Sequence, residues 1–267
     1  MCGISGIINF NNSPVEENQL RVMMKKIKHR GPDDEGIFID NNVGLGFVRL
    51  SILDLSPAGH QPMFSHDKRY IIVFNGEVYN YLEIRDELKH KYAFETGTDT
   101  EVILAAYQEW GELCLDKFNG MFAFVIFDIK TKDIFGARDR YGIKPFYYYR
   151  DDRQFIFASE IKSILPLIDK KANDIAIYDY LLYNRTDHTD ETFFQNIHKL
   201  QHGSYFKICN GKFDFFKWYV LNEKIINSEI TTEEYRKLFN NSLALRLRAD
   251  VPVGVSLSGG IDSSSIV

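Results

Sequence analysis

The chain has 267 residues, of which 45% are hydrophobic, and carries a formal net charge of −5. This length suffices for one large domain, or for one medium domain and part of another. Lysines and arginines are scattered rather than clustered, which argues against nucleic acid as the main partner. No apolar run approaches the roughly 20 residues that cross a bilayer, and the amino terminus lacks a signal-peptide pattern. We therefore expect a cytoplasmic protein that acts on small molecules, with no membrane or nucleic-acid partner.

The amino terminus reads Met-Cys-Gly-Ile, and removal of Met1 would leave Cys2 with a free α-amino group beside its own thiol. A thiol titrates near ~8.5 and an α-amino group near ~7.7–8.0, so the amine can accept the thiol proton near neutral pH. Cys2 is thus a candidate nucleophile that carries its own base. A cysteine at position two is more often incidental, so other features have to support this role. The other cysteines, Cys114 and Cys209, form no CxxC pair and predict neither a disulfide nor a metal site.

The first half of the chain alternates predicted strands with predicted helices. Apolar spacing predicts strands over 2–10, 43–48 and 70–74, and helices over 15–28, 81–92 and 99–110. The polar run 29–36 is predicted as a turn, which could lie at the mouth of a pocket. Arg49 ends a buried strand, where its charge needs an anion. A structural salt bridge and a substrate carboxylate are both consistent with this position.

Two further polar positions have both a structural and a functional interpretation. Asn75-Gly76 is a strong hairpin signal, but an amide beside an accessible glycine N–H can also form an oxyanion hole. Both interpretations can hold together. Asp99 could cap the helix that begins there, as could Thr98. Alternatively, the Asp99 carboxylate could face a substrate ammonium.

The second half of the chain is predicted to be mainly β up to residue 209. Predicted strands cover 121–128, 134–138, 145–149, 154–158 and 204–209, and short helices cover 159–165 and 174–183. The charged run 137–145 lies between core segments, which favours internal ion pairing near a site. A connector is predicted over 210–228, with Trp218 and Tyr219 packed on the first domain, and Thr231 begins a helix with a capping box.

The last residues predict the beginning of a second domain. Residues 251–257 are apolar and predict a buried strand of a parallel sheet. The sequence that follows, Ser-Gly-Gly-Ile-Asp-Ser-Ser, places a glycine pair between this strand and a helix start. Free backbone N–H groups and the helix dipole could cradle phosphate there, although a tight strand-to-helix turn is the simpler explanation.

Seven runs agree in order and spacing with a known family. They are Met1-Cys2-Gly3-Ile4, His29-Arg30-Gly31-Pro32-Asp33-Asp34, Arg49-Leu50-Ser51-Ile52, Asn75-Gly76-Glu77-Val78-Tyr79-Asn80, Thr98-Asp99-Thr100-Glu101, Asp139-Arg140-Tyr141-Gly142-Ile143-Lys144-Pro145 and Ser258-Gly259-Gly260-Ile261-Asp262-Ser263. Along essentially its whole length, the chain resembles the glutamine-dependent asparagine synthetases. Their amino-terminal half is a class II glutamine amidotransferase domain of the N-terminal-nucleophile hydrolase fold.

The resemblance implies roles for the residues in these runs. Cys2 would attack the glutamine carboxamide to give a glutamyl thioester and ammonia, with its α-amino group as base and then acid. Asn75 and the Gly76 N–H would form the oxyanion hole. Residues of the glutamine pocket would be Arg49, on the α-carboxylate, Glu77 and Asp99, on the α-ammonium, and the lining backbone of Leu50, Ser51, Ile52 and Leu53.

The resemblance also implies a second reaction, in which ATP activates aspartate as an acyl-adenylate and ammonia arrives through an apolar tunnel. The ATP-binding residues would be Leu257, Ser258, Gly259, Gly260, Asp262 and Ser263, with Mg²⁺ beside ATP in the complete enzyme and no cofactor for the glutaminase half. That family continues for a few hundred residues more, so we expect this chain to be a fragment of a longer product. The run Leu-Gln-His-Gly at 200–203 departs from the family's usual Leu-Pro-Pro-Gly-like sequence.

We therefore predict an α+β protein with a four-layer αββα N-terminal-nucleophile hydrolase fold, followed by the first strand of an α/β ATP-pyrophosphatase domain. The expected glutaminase domain covers 2–209, the connector 210–230 and the truncated synthetase domain 231–267. L-glutamine, L-aspartate and ATP are the expected small-molecule partners, and a homodimer is one assembly it could form. Two alternatives stay open: an amidotransferase for another carboxylate acceptor, such as a polysaccharide sugar, and a non-catalytic glutamine-binding module.

Overall fold

The structure is a computed structural model that describes residues 1–209, 211–225 and 229–267. The strands are β1 (Gly3–Asn9), β2 (Asp34–Asp40), β3 (Val43–Arg49), β4 (Met63–Phe64), β5 (Tyr70–Val78), β6 (Gly120–Asp128), β7 (Ile134–Arg138), β8 (Tyr147–Arg150), β9 (Gln154–Ala158), β10 (Ile197–Lys199), β11 (Ser204–Cys209) and β12 (Lys212–Lys217). The α-helices are α1 (Glu17–Ile27), α2 (Tyr81–Leu88), α3 (Asp99–Trp110), α4 (Cys114–Lys117), α5 (Ile161–Ile164), α6 (Asp174–Tyr183), α7 (Leu221–Lys224), α8 (Thr232–Arg246) and α9 (Ile261–Ile266). No helix in these ranges is long and apolar enough to cross a membrane.

The strands form two antiparallel six-stranded sheets. One has the order β10-β8-β9-β1-β3-β2, and the other has the order β12-β11-β7-β6-β5-β4. The central strands β1 and β6 are buried along most of their length, as their near-continuous apolar sequences require. Each sheet therefore needs a cover on both faces.

Three apolar clusters supply this cover and stack the layers. The first lies between the sheets and includes Phe47 and Phe157 of one sheet and Phe127 and Phe206 of the other. The second packs α2, α3 and α4 on the outer face of the sheet that contains β5, and the third packs α1 and α5 on the outer face of the sheet that contains β1. Burial of these apolar faces is the main force that holds the layers together. The predicted four-layer αββα fold is confirmed.

Some local predictions differ from the structure. Asn75-Gly76 lies inside β5 rather than in a hairpin turn, because β5 pairs with β6 from Tyr70 to Val78 without a break. The end of the polar run 29–36 belongs to β2, which pairs with β3. The expected connector contains β12, which pairs with β11 and extends the second sheet to Lys217. Part of that connector, residues 210 and 226–228, lies outside the described residues.

The predicted strand at 251–257 is not formed. Val253, Val255 and Leu257 are about half exposed, and no strand pairs with this segment among the residues that the structure describes. A strand of the parallel kind is stable only beside neighbours that satisfy its backbone and cover its faces. By contrast, the predicted packing of Trp218 is confirmed, since its ring stacks on Phe122 at a centroid distance of 6.2 Å.

Candidate functional site

A cavity of about 390 Å³ lies where β1, β3 and β5 end close together. Its lining residues include nearly all of the predicted glutaminase residues: Cys2, Arg49, Leu50, Ile52, Leu53, Asn75, Gly76, Glu77 and Asp99. Only Ser51 of the predicted set is not part of the lining, and its backbone N–H instead donates to Asp33 Oδ2 at 2.8 Å. The sequence separations are large, so the fold itself brings these side chains together.

The Cys2 thiol lies at the start of β1 and contacts the backbone of Leu50. Its Sγ is 3.4 Å from the Leu50 nitrogen and 3.5 Å from the Leu50 oxygen. Burial raises the pKa of the Cys2 thiol, while the Leu50 backbone contact opposes this shift. The thiol is therefore protonated at rest and needs a base. Met1, whose α-amino group has a pKa lowered by burial, also lines the cavity.

Arg30 fixes the backbone of the cysteine. Its Nε donates to the carbonyl oxygen of Cys2 at 2.9 Å, and its Nη1 donates to Glu160 Oε1 at 3.0 Å. The Arg30 side chain is almost fully buried, so its charge needs both partners. The sequence analysis missed this role. A signal was present, because the run that contains Arg30 was predicted as a turn, with the mouth of a pocket as its functional interpretation.

The edge of β5 presents a row of backbone N–H groups to the cavity. Phe122 is the residue of β6 opposite Gly76. Its N–H donates to Asp139 Oδ2 at 3.1 Å, and its carbonyl oxygen accepts from the Asp139 N–H at 2.8 Å. Gly76 and Phe122 are thus a non-hydrogen-bonded pair, and the Gly76 N–H faces away from β6. On that edge the Phe74 N–H donates to Gln61 Oε1 and the Val78 N–H to an Asp99 oxygen. The Gly76 N–H lies between them and faces the cavity.

The side chain of Asn75 is buried and unpaired. It is 1% exposed, and neither its Nδ2 nor its Oδ1 has a hydrogen-bond partner among the described residues. A buried amide without partners costs about 1–3 kcal/mol, so proteins seldom retain one without a function. Asn75 lines the cavity beside Gly76. The pair presents two unused donors, one from the side chain and one from the backbone.

Arg49 is held by backbone carbonyl groups rather than by an ion pair. Its Nη1 donates to the oxygen of Ser56 at 2.8 Å, and its Nη2 donates to the oxygens of Leu53, at 3.3 Å, and Asp54. The structural salt bridge, one of the two interpretations left open for Arg49, is not found among the described residues. Gly59 lies so close that an added Cβ would be 1.9 Å from Nη2. No carboxylate of residues 1–209, 211–225 or 229–267 forms an ion pair with Arg49, which lines the cavity.

Glu77 and Asp99 place two carboxylates on the same cavity wall. Burial raises the pKa of Asp99 to about 7, and it also raises the pKa of Glu77, which Lys144 and the amino terminus oppose. Thr98, not Asp99, caps α3, because the Thr98 side chain accepts from the Glu101 N–H. The Asp99 side chain is therefore available to the cavity. A cationic ligand group would favour the charged form of both acids.

A second residue near the site that the sequence analysis did not single out is Lys144. It is 5% exposed and lines the cavity, and burial lowers its pKa. The carboxylate of Asp139 holds the loop that leads to Lys144, because it accepts hydrogen bonds from the N–H groups of Tyr141, Ile143 and Lys144. The dense charge of the run 137–145 was the available signal, but the predicted internal ion pairing is wrong. Among the described residues, Asp139 accepts backbone N–H groups, whereas Arg138 and Arg140 donate to backbone carbonyl groups.

The predicted phosphate loop lies on the surface and does not line the cavity described above. Gly259 has a positive φ of 81°, and Gly260 is the N-cap of α9. The hydroxyl groups of Ser258 and Ser263 lie 3.0 Å apart. An added Cβ at Gly259 would meet nothing within 4 Å, so the backbone at this helix start is open.

Sequence comparisons identify families that match the two parts of the chain, residues 1–219 and residues 234–267. The family described as "Glutamine amidotransferase domain" matches residues 1–219, and the family described as "Asparagine synthase" matches residues 234–267. A putative glutamine-hydrolysing asparagine synthetase 2 of Methanocaldococcus jannaschii is 44% identical over all of this chain and 56% of its own length. Asparagine synthetase 1 of Bacillus subtilis is 41% identical over all of this chain and 43% of its own length. The chain spans about half the length of these relatives.

A solved structure supports the fold. Glutamine phosphoribosylpyrophosphate amidotransferase from B. subtilis matches with a TM-score of 0.60 at 18% identity, over 88% of this chain and 52% of that one. At this identity the likeness concerns the fold alone, and it agrees with the layered arrangement. The resemblance to glutamine-dependent asparagine synthetases is confirmed by the relatives above. From the match to residues 1–219, the chain belongs to the glutamine amidotransferase domain family.

Proposed function

We propose that this chain hydrolyses L-glutamine to glutamate and ammonia through Cys2. The observation that carries this proposal is the unpaired, buried amide of Asn75 beside the cavity-facing N–H of Gly76. Two donors without protein acceptors fit an oxygen that gains negative charge during reaction. They lie on the cavity that also receives the Cys2 thiol, so nucleophile and oxyanion donors share one site.

The α-carboxylate and α-ammonium groups of glutamine would bind cavity side chains of opposite charge. Arg49 would attract the α-carboxylate of glutamine, and Glu77 with Asp99 would bind its α-ammonium. The Asp99 carboxylate has a pKa raised to about 7, and the approach of a cation would lower that pKa again. Binding would therefore complete the ionisation of the site that holds the substrate.

The reaction would begin after removal of Met1, when the α-amino group of Cys2 accepts the thiol proton. The sulfur then forms a bond to the carboxamide carbon, and the carbonyl electron pair moves to the oxygen held by Asn75 and Gly76. Collapse of this intermediate breaks the carbon–nitrogen bond, and the protonated α-amine gives its proton to the leaving ammonia. Water then hydrolyses the thioester, which releases glutamate and restores the thiol.

The ammonia would supply an ATP-dependent amidation of L-aspartate to asparagine. This part of the proposal rests on the relatives, whose names describe glutamine-hydrolysing asparagine synthetases, and on the match of residues 234–267. Leu257, Ser258, Gly259, Gly260, Asp262 and Ser263 would contact ATP, which would supply the adenylyl group that activates the aspartate carboxylate, and Mg²⁺ would accompany it. A homodimer and a cytoplasmic location stay predictions.

The decisive experiment measures glutamate and ammonia release from L-glutamine by protein whose intact mass shows that Met1 is absent. Cys2→Ala should abolish release, whereas Cys209→Ala, which changes a thiol on β11 far along the chain, should leave it unchanged. Trapping of a glutamyl adduct on the amino-terminal peptide by mass spectrometry would identify the bond that forms. Equal release by wild type and Cys2→Ala would disprove the proposal.

A further inference from the structure

The segment that follows α8 contacts the loop that lines the glutaminase cavity. This segment, residues 247–250, belongs to the range matched by the asparagine synthase family. The Asp250 N–H donates to the oxygen of Ile52 at 2.9 Å, and the Asp54 N–H donates to Asp250 Oδ2 at 2.7 Å. The two hydrogen bonds lie on either side of Leu53. A residue of the range matched by the asparagine synthase family thus forms hydrogen bonds with the loop that lines the glutaminase cavity.

Asp54, the partner of Asp250, lies at the centre of the contacts that orient Arg49. Its carbonyl oxygen accepts from Arg49 Nη2, and its carboxylate accepts from the N–H groups of Ser56, at 3.1 Å, and Gly97, at 2.7 Å. Asp54 has a positive φ of 49°, which is uncommon for a residue other than glycine. Such a conformation persists only where surrounding contacts hold it, and Asp250 supplies one on the backbone N–H.

Arg248 attaches the same segment to α2 and to the residue that follows β5. Its guanidinium donates to both carboxylate oxygens of Glu83, at 2.7 and 2.6 Å, and to the carbonyl oxygen of Tyr79 at 2.7 Å. Tyr79 directly follows Val78, the last residue of β5. Arg248 therefore fixes the position from which Asp250 reaches the loop.

We propose that Asp250 is a positioning residue of the glutamine site, acting on Arg49 through Asp54, and that Arg248 holds Asp250 in place. The inference rests on the proposed function, because it assigns Arg49 to the glutamine α-carboxylate. It means that the glutaminase site is completed by the segment that carries the Ser258-Gly259-Gly260 loop a few residues further on. A shift of residue 250 would change the affinity of the site for glutamine.

The test is the kinetics of Asp250→Ala in Met1-free protein. Loss of one hydrogen bond at an exposed position should raise the KM for glutamine about three- to tenfold, while kcat stays within a factor of two. Asp250→Asn keeps an oxygen that accepts from the Asp54 N–H and should restore a KM near that of the wild type. Arg236→Ala is the matched control, since Arg236 lies on α8 and, within the part of the chain that the structure describes, forms an ion pair only with the nearby Glu233.

Hydrogen–deuterium exchange supplies a readout that does not depend on turnover. The amide of Asp54 should exchange faster in Asp250→Ala than in the wild type, and Arg248→Ala should produce the same change. Slow exchange retained in both variants, or a KM for Asp250→Ala equal to that of an active wild type, would overturn the inference. A wild type without glutaminase activity would instead count against the proposed function.

Discussion

The Asp99 carboxylate accepts a hydrogen bond from the Val78 backbone N–H at 2.8 Å, two residues beyond Gly76 on the same edge of β5. This contact joins the first turn of α3 to the strand that carries the proposed oxyanion donors. It also buries the carboxylate, which is 4% exposed. Burial disfavours the ionised form and raises the pKa of Asp99 to about 7. A group with this pKa changes its charge near neutral pH, and two predictions depend on it.

The affinity for glutamine should increase with pH as Asp99 ionises. The α-ammonium of glutamine needs the charged carboxylate, so kcat/KM should rise as the pH passes through about 7, the pKa of Asp99 in the free protein. Asp99→Asn should raise KM and lose this limb of the profile. The variant separates Asp99 from the amine and thiol of Cys2, which would still titrate. An identical pH profile in the variant would show that Asp99 does not control binding.

The same shift predicts how stability depends on pH. Between pH of about 4 and about 7 the folded protein keeps the Asp99 proton that the unfolded chain has lost, so this group lowers the free energy of unfolding as pH rises through that window. Asp99→Asn removes the effect, and its amide oxygen can still accept the Val78 N–H. Denaturant titrations at pH 4, 5.5 and 7 should therefore favour the variant increasingly. A constant difference between variant and wild type would contradict the assignment.

Asn75→Ala should reduce catalysis without a loss of stability. The amide has no hydrogen-bond partner among the residues that the structure describes, so its removal breaks no hydrogen bond seen there, yet it removes the proposed donor to the oxyanion. Loss of one such donor typically lowers kcat by about 10²- to 10³-fold. Steady-state kinetics tests the expected loss of catalysis, and thermal unfolding of the same preparation tests the expected unchanged stability. A variant that unfolds earlier by an amount that accounts for its lost activity would argue for a structural role instead.

Sequence patterns predicted the elements with strong local signals. The bounds of α3 agree with the prediction, because Thr98 provides the N-cap and Gly111, with a positive φ of 56°, ends the helix. The runs of the resemblance contain about two thirds of the residues that line the cavity. The helix bounds and the motif runs could both be identified from a few neighbouring residues at a time.

The remaining features depend on residues that are distant in sequence. Asn75-Gly76 has the composition of a hairpin turn, but pairing along the whole of β5 outweighs this local preference. The hydrogen bond between Asp250 and Asp54 joins residues 196 positions apart, and no local pattern indicates it. The carbonyl partners of Arg49 are also invisible to pattern analysis, because every residue has a carbonyl group.

Gly59→Ala should disturb the arginine of the cavity. The new Cβ would lie 1.9 Å from Arg49 Nη2, a distance that real atoms do not adopt, so the guanidinium would have to move away from its carbonyl partners. We expect a rise in the KM for glutamine of about tenfold or more, since a charged hydrogen-bonded contact contributes about 1.5–3 kcal/mol. Gly254→Ala is the control, because its Cβ would meet nothing within 4 Å. Equal KM values for the two variants would remove Arg49 from the binding site.

Asp139 should be the residue whose substitution most affects the loop that carries Lys144. Its side chain is fully buried, and its two oxygens accept four backbone N–H groups: those of Phe122 and Lys144 on Oδ2, and those of Tyr141 and Ile143 on Oδ1. Asp139→Asn keeps only one oxygen, so two donors would face an amide NH₂ and lose their acceptor.

Each buried donor left unpaired costs about 1–3 kcal/mol, so Asp139→Asn should lower the free energy of unfolding by about 2 kcal/mol or more. Because Phe122 is the cross-strand neighbour of Gly76, the change should also lower kcat. Asp133→Asn is a matched control on a solvated turn before β7. Denaturant unfolding and glutaminase assays of both variants would decide the matter, and an Asp139→Asn protein as stable as the control would show that this carboxylate does not hold the loop.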